Sequence, residues 1–272
     1  MKSNHSRQPI GVFDSGLGGL TVVKVMHHFL PSEDVVYFGD TARVPYGTKS
    51  KETIIRFSIE NVKMLLRHNV KMVVIACNSS SSYALPELKK RFMIPIVGVI
   101  EPGVQRAVAV TRNKRIGIIA TPATINSGAY QNQIRKQSGR FTVTAQACPL
   151  FVPLVEAGWT NRQVTRLVAE EYLRKFKKNK IDSLILGCTH YPLLKTTLRK
   201  VLGPDVALVD SAQQVVQAVK ERLEQSQLIH HRKGRGSYRF LISDEPQHFL
   251  KSARRFLGFP LKSVERCDPQ GL

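Results

Sequence analysis

Two cysteines, Cys77 and Cys188, carry the chemistry this sequence can offer. Val73-Val74-Ile75-Ala76 runs into Cys77-Asn78-Ser79-Ser80, and Leu184-Ile185-Leu186-Gly187 runs into Cys188-Thr189-His190. Each reads as a buried strand that delivers a thiol and short hydrogen-bonding side chains to its carboxyl end. A free thiol titrates near ~8.5, so the thiol is a proton donor and its thiolate a base. Two of them on opposite sides of one tetrahedral carbon could take hydrogen from one face and return it to the other, which is stereoinversion. Asp14 is placed to assist one thiol and His190 the other. A carbanion formed on the way needs donors preset around a substrate carboxylate, each worth ~3 kcal/mol. Asn78, Ser79, Thr121, Thr189 and strand-end N–H groups are available for that.

Each feature also has a plainer reading. A lone cysteine at a strand end is usually a small core hydrophobe. Asp14 and the serines after Asn78 could simply cap helices, and His190 could be a structural histidine. The repetition favours chemistry: both thiols precede two hydrogen-bonding residues. Cys148 and Cys267 lack such companions and read as bystanders. A cysteine hydrolase built on Cys188 and His190 is a rival. It leaves Cys77 idle, and two positions of spacing make a dyad awkward.

The elements that must position these residues alternate. Strands are expected at Pro9–Phe13, Asp34–Asp40, Lys71–Ala76 and Ile96–Ile100, with helices from Ser50 and over Tyr83–Phe92 between them. After Glu101-Pro102-Gly103 the pattern restarts, with strands at Arg115–Ala120, Phe141–Ala145 and Leu184–Gly187. A helix carrying Val164, Leu167, Val168, Tyr172 and Phe176 corresponds to the Ser50 helix of the first run. The similar order of the two runs suggests a duplicated half. Such alternation predicts an α/β fold of two pseudo-symmetric domains, each a mostly parallel sheet flanked by helices, with the active site in the cleft between them. The expected boundaries are 9–101 plus 212–272 for the first domain and 102–211 for the second. The tail strand Tyr238–Ile242 and the helix Gln247–Leu257 return to the first. In such sheets ligands lie beyond the carboxyl ends of the strands, where every polar cluster here falls. Residues 1–8 read as a loose tail. Gly16-Leu17-Gly18-Gly19 lacks the third glycine of a dinucleotide fingerprint, because Thr21 stands there. Its glycines are expected to bring backbone close to a small ligand.

The totals exclude several classes. At 272 residues and 42% hydrophobic content the chain can bury a proper core. Four cysteines without a CxxC pair suggest neither a zinc knuckle nor a disulfide framework. With no apolar segment long enough to span a bilayer, and no signal peptide at Met1–Arg7, reduced thiols in a cytoplasm are the expectation. The net charge of +21 would draw anionic substrates and could hold nucleic acid. The expectation is nevertheless that Lys and Arg are scattered over helix faces, with His230–Arg235 an exposed loop.

Four stretches resemble the glutamate racemases, in that family's order: Asp14-Ser15-Gly16-Leu17-Gly18-Gly19-Leu20-Thr21, Asp40-Thr41-Ala42-Arg43-Val44-Pro45-Tyr46-Gly47, Ala76-Cys77-Asn78, and Gly187-Cys188-Thr189-His190-Tyr191-Pro192-Leu193. The resemblance spans residues 9–257. It implies a racemase of L- and D-glutamate that uses neither cofactor nor metal and supplies D-glutamate for peptidoglycan. By motif, Cys77 and Cys188 are the two acid/base residues, helped by Asp14 and His190, with Asp40 and Glu156 assisting. Asp14, Ser15 and Thr189 would meet the substrate ammonium. Asn78, Ser79, Thr121 and Thr124 would hold the α-carboxylate, and Pro45, Tyr46 and Gly47 would frame the side-chain carboxylate. Ser79-Ser80 depart from the family's usual Thr-Ala, keeping one hydroxyl and losing a methyl. An aspartate racemase is the nearest alternative, and the Arg43–Gly47 stretch favours glutamate. A homodimer is admitted by this reading. A nucleic-acid partner has only the charge behind it.

Overall fold

The computed structural model describes residues 5–269. Its strands are β1 (Ile10–Asp14), β2 (Val35–Gly39), β3 (Met72–Ile75), β4 (Ile96–Gly98), β5 (Arg115–Ala120), β6 (Thr142–Ala147), β7 (Ser183–Gly187), β8 (Ala207–Asp210), β9 (Tyr238–Ile242) and β10 (Glu265–Arg266). They form two sheets, ordered β10-β9-β2-β1-β3-β4 and β6-β5-β7-β8. Every pairing is parallel. The order β2-β1-β3-β4 in the first sheet repeats as β6-β5-β7-β8 in the second. β3 and β7, the cysteine-bearing strands, therefore hold the same place in each half. Both are buried along their whole length, as strands covered by helices on two faces must be.

The tail joins the first sheet: β9 lies parallel to β2, with Tyr37 opposite Phe240. Helix Pro246–Leu257 then packs on helix Leu20–Phe29 through buried Phe249, Ala253, Phe256 and Leu257.

Local structure departs from the sequence pattern in four places. Glu101-Pro102-Gly103 is not a break but the first turn of helix Ile100–Val110. Proline is tolerated there because the first N–H groups of a helix have no intrahelical acceptor. The helix expected over 83–92 is Leu85–Arg91, and a further short helix, Asn78–Tyr83, precedes it, so the serines sit inside a helix rather than only capping one. Helix Gln163–Lys178 turns Thr165, Ala169, Leu173 and Phe176 inward, while Val164 and Leu167 are 41% and 52% exposed. Small residues at 165 and 169 let the helix lie close to its neighbours, which apolar counting does not register. Of the expected tail, residues 1–4 lie outside the described residues. Residues 5–8 are anchored, since the Ser6 carbonyl accepts from Lys71 Nζ at 2.7 Å. Among the described residues no helix is long and apolar enough to cross a membrane.

Candidate active site

The carboxyl ends of β1, β3, β5 and β7 converge on a cavity of about 350 Å³. One wall brings Ser15, Cys77, Asn78 and Ser79, and the segment Val44–Thr48 closes over it. The facing wall brings Thr121, Glu156, Cys188, Thr189 and His190, with Pro149, Val152 and Pro153. Both thiols thus line one space, each from its own half. Both are nearly buried, at 5% and 7% exposure, and Cys77, Cys148, Cys188 and Cys267 are all free thiols.

Behind Cys77 stands a buried carboxylate. Asp14 is fully buried at the end of β1 and accepts from Gly16 N–H at 3.2 Å and from the Thr189 hydroxyl at 3.5 Å. The N-cap residue of helix Leu20–Phe29 is Gly19, which has no side chain to cap it, and the Gly19 N–H donates to Asp14. Burial raises the Asp14 pKa, and the positive field of His190 opposes the rise. Burial likewise pushes the Cys77 thiol up to about 12; the charge of Asp14 adds to this, and a hydrogen bond from the Ser80 backbone resists it. Desolvation disfavours a thiolate in such a place, so Cys77 rests as the protonated thiol.

Cys188 has a different neighbour. Its sulfur lies 3.9 Å from His190 Nδ1, and His190 Nε2 lies 3.0 Å from Glu156 Oε1. Burial works against an imidazolium, but the hydrogen bonds to Cys188 and Glu156 outweigh it and raise His190 to about 10. Glu156 responds in kind: its burial is outweighed by His190, which lowers its pKa. A spacing of two therefore does permit contact, contrary to the expectation that it is awkward. After β7 the chain turns at once, and His190 folds back over the thiol.

Three of the expected residues stand one layer behind the cavity wall. Asp14 is one. Asp40 turns away from the cavity: its carboxylate accepts from the Tyr46 hydroxyl, from Arg43 Nε at 2.7 Å and from the Ser243 hydroxyl at 2.9 Å. It fixes the wall rather than forming it. Thr124 is fully buried, 3.3 Å from the Ser79 hydroxyl and 3.1 Å from that of Thr121. Ser79 reaches across to Thr121 at 3.0 Å, so three hydroxyls tie the two walls together. Asn78 Oδ1 accepts from the Tyr130 hydroxyl at 2.7 Å, while Asn78 Nδ2 is buried without a partner among the described residues. A donor left free beside two thiols is suited to an incoming carboxylate.

The glycine turn works differently from expectation. It does not line the cavity. A Cβ on Gly18 would come within 2.0 Å of the Thr189 hydroxyl oxygen and 2.6 Å of His190 Nδ1. Its lack of a side chain lets the first half seat against the Cys188 turn, not against a ligand. Gly47 does the same across the cavity mouth, where a Cβ would meet Thr121 at 2.7 Å.

Residues outside the motifs complete the site. The tail helix supplies Arg255, whose Nη1 donates to the Glu156 carbonyl at 2.6 Å, and Phe256, whose ring meets His190 edge-on at 5.3 Å. Tyr130 orients Asn78. No local signal marks these three; an amphipathic pattern predicts only that Phe256 is buried.

The model of the Asp/Glu/hydantoin racemase family matches residues 10–219. The chain belongs to that family. Similarity within the family is high: a glutamate racemase of Geobacter metallireducens is 48% identical, with 94% of each chain covered. The crystal structure of a Francisella tularensis glutamate racemase in complex with D-glutamate superposes with a TM-score of 0.91 at 41% identity, covering 97% of this chain and 99% of that one. A Bacillus anthracis glutamate racemase, isoform RacE1, gives 0.93 at 35% identity over 97% and 98%. These relatives place the chain among the amino-acid racemases of the family.

Proposed function

We propose that this protein interconverts L- and D-glutamate by moving one proton between two cysteines. The observation that carries the reading is the shared cavity: Cys77 and Cys188 line it from opposite halves. One cysteine, as thiolate, takes the α-hydrogen; the C–H bond breaks and an S–H bond forms. The other gives its thiol proton to the opposite face of the carbanion, so its S–H bond breaks and a new C–H bond forms. The two have then exchanged roles and the next turnover can run in reverse. For the enantiomer whose α-hydrogen faces Cys188, Cys77 in its protonated form is the donor; for the other enantiomer the roles are reversed. His190, tied to Glu156, holds a proton beside Cys188 and balances charge there. Asn78 Nδ2 and the Ser79–Thr121 hydroxyls face the α-carboxylate; Ser15 and Thr189 face the ammonium, with the Asp14 charge behind them. Pro45, Tyr46 and Gly47 frame the side-chain carboxylate, and Asp40 holds Tyr46 in place. The glutamate preference follows the named relatives. The same proposal puts the enzyme in the cytoplasm, where D-glutamate would enter peptidoglycan synthesis.

Labelling in heavy water tests the two-base part. Early in the reaction the product enantiomer should carry deuterium while recovered substrate carries little; equal labelling of both would mean a single base. Circular dichroism of turnover with glutamate and aspartate tests the substrate, and an aspartate preference would overturn the choice. The Cys188–His190–Glu156 contacts also suit a cysteine hydrolase. That reading gives Cys77 no work, and retention of activity after Cys77→Ser would favour it.

A further inference from the structure

The sequence scatters Lys and Arg along its whole length, but the fold gathers many of them on one edge. β5, β6 and β7 run parallel, so the loops entering them lie together at the amino-terminal edge of the second sheet. These loops, residues 111–115, 136–142 and 177–182, hold eight Lys and Arg against one carboxylate, Asp182. Hydrogen bonds join them into one surface: Thr142 N–H to the Lys114 carbonyl at 2.9 Å, Asn113 Nδ2 to the Lys180 carbonyl at 2.9 Å, and Arg115 Nη1 to the Asn179 carbonyl at 3.1 Å.

Asp182 offsets only one of these eight charges and is held as an anion by its hydrogen bonds. Its carboxylate is taken up locally by the Thr111 hydroxyl at 2.5 Å and the N–H groups of Arg112 and Asn113 at 2.6 and 2.8 Å. Arg112, Lys114, Arg115, Arg140, Lys178 and Lys180 are exposed, and none forms an ion pair among the described residues. The matching edge of the first sheet is built the other way. There Lys71 pairs with Glu33 at 2.5 Å and Arg232 with Asp34 at 2.8 Å. The edge formed by these three loops thus carries a clear excess of cations, with Asp205 the one carboxylate on the neighbouring loop into β8. It lies a strand length, about 20 Å, from the thiols.

We infer that this edge binds double-helical nucleic acid through its phosphate backbone. Lys and Arg on hydrogen-bonded loops offer fixed cations at close spacing, which suits a regular line of phosphates. Binding of single strands generally adds aromatic side chains on which bases stack. The one aromatic on these loops, Phe141, is partly buried against the core, and none of the large exposed apolar residues lies here, so base stacking and insertion into a lipid surface are poorly served. The contact is independent of sequence and of the thiol chemistry.

Fluorescence anisotropy with a labelled 24-base-pair DNA duplex tests this on the full chain. With about four phosphates engaged, log affinity should fall against log salt with a slope of about −3.6, roughly 100-fold between 50 and 200 mM. The triple variant Lys114→Glu/Arg140→Glu/Lys178→Glu should bind at least about tenfold more weakly at 50 mM salt, with a flatter slope. It should racemise as before. A control of equal charge change in the first half, Lys63→Glu/Lys89→Glu/Lys90→Glu, should lose less than about threefold. Circular dichroism checks folding; if the triple is unfolded, Arg140→Glu and Lys178→Glu singly should each weaken binding. Equal loss in patch and control variants would overturn the inference, as would absence of binding at 50 mM. Tighter binding to vesicles containing phosphatidylserine than to the duplex would overturn it in favour of a membrane.

Discussion

Cys77 and Cys188 occupy equivalent positions in two copies of one strand order, yet their surroundings have opposite character. Cys77 backs onto a buried carboxylate with no cation of its own. Cys188 backs onto an imidazole that a second carboxylate keeps positive. The backbone symmetry brings two thiols to one cavity; the side chains give them different electrostatic surroundings. Stereoinversion needs one donor and one acceptor at the start of each turnover. Two identical half-sites would have to break their own symmetry to provide them. Here the difference is built in by Asp14 on one side and by His190 with Glu156 on the other.

Removing either thiol should be the most severe test of that comparison. Cys77→Ser and Cys188→Ser should each lower kcat for racemisation by about 1,000-fold or more, since a serine hydroxyl is a far weaker acid than a thiol and its anion is hardly populated near neutral pH. A variant retaining a tenth of wild-type turnover would remove that cysteine from the mechanism. His190→Asn should come next, at about 100-fold in kcat, because the proton held beside Cys188 is lost. Measured in both directions, the loss should be unequal, and equal losses would argue that the two sides are equivalent after all.

Glu156→Gln should cost less, about tenfold, and act through His190. Without the carboxylate, the imidazolium titrates below its present value of about 10. The upper limb of the pH profile of kcat should move to lower pH, and an unmoved limb would detach it from His190. Folding stability offers a related check with a fixed sign. The pKa of His190 is raised from 6.5 to about 10 in the folded chain. Its contribution is therefore full below pH 6.5, declines above it, and is gone beyond about pH 10. Urea midpoints should fall over that window in the parent and less so in His190→Asn.

The smallest expected effect is on reactivity at rest. Buried and held near 12, Cys77 should alkylate with iodoacetamide at pH 8 much more slowly than a free thiol. Asp14→Asn removes the neighbouring negative charge and should speed that reaction by a few-fold. No acceleration would mean that burial alone keeps Cys77 protonated.

Much of the site was legible because it follows local rules. Strand ends that stop on Cys-Asn-Ser and Cys-Thr-His place those residues at the ligand edge of a parallel sheet, whatever else the chain does. Asp40 shows the limit. It sits in a motif and at a strand end, yet its carboxylate serves Tyr46, Arg43 and Ser243, the last just past β9 and far along the chain. Gly18 shows another limit: its need for no side chain comes from Thr189 and His190 of the other half. Which face of helix Gln163–Lys178 turns inward depends on what the helix meets, and Leu167, though apolar, stays exposed.

By itself the sequence determined the alternation of strands and helices, the hint of a duplicated half and the identity of the two thiols. Periodicity and strand-end chemistry are short-range properties and survive without coordinates. Only the tertiary structure decided that the thiols share a cavity, that one faces a buried acid and the other an imidazolium, and that cations spread along the chain gather on one edge. Electrostatics depends on distance and burial, and those are fixed by residues that meet in space from far apart along the chain.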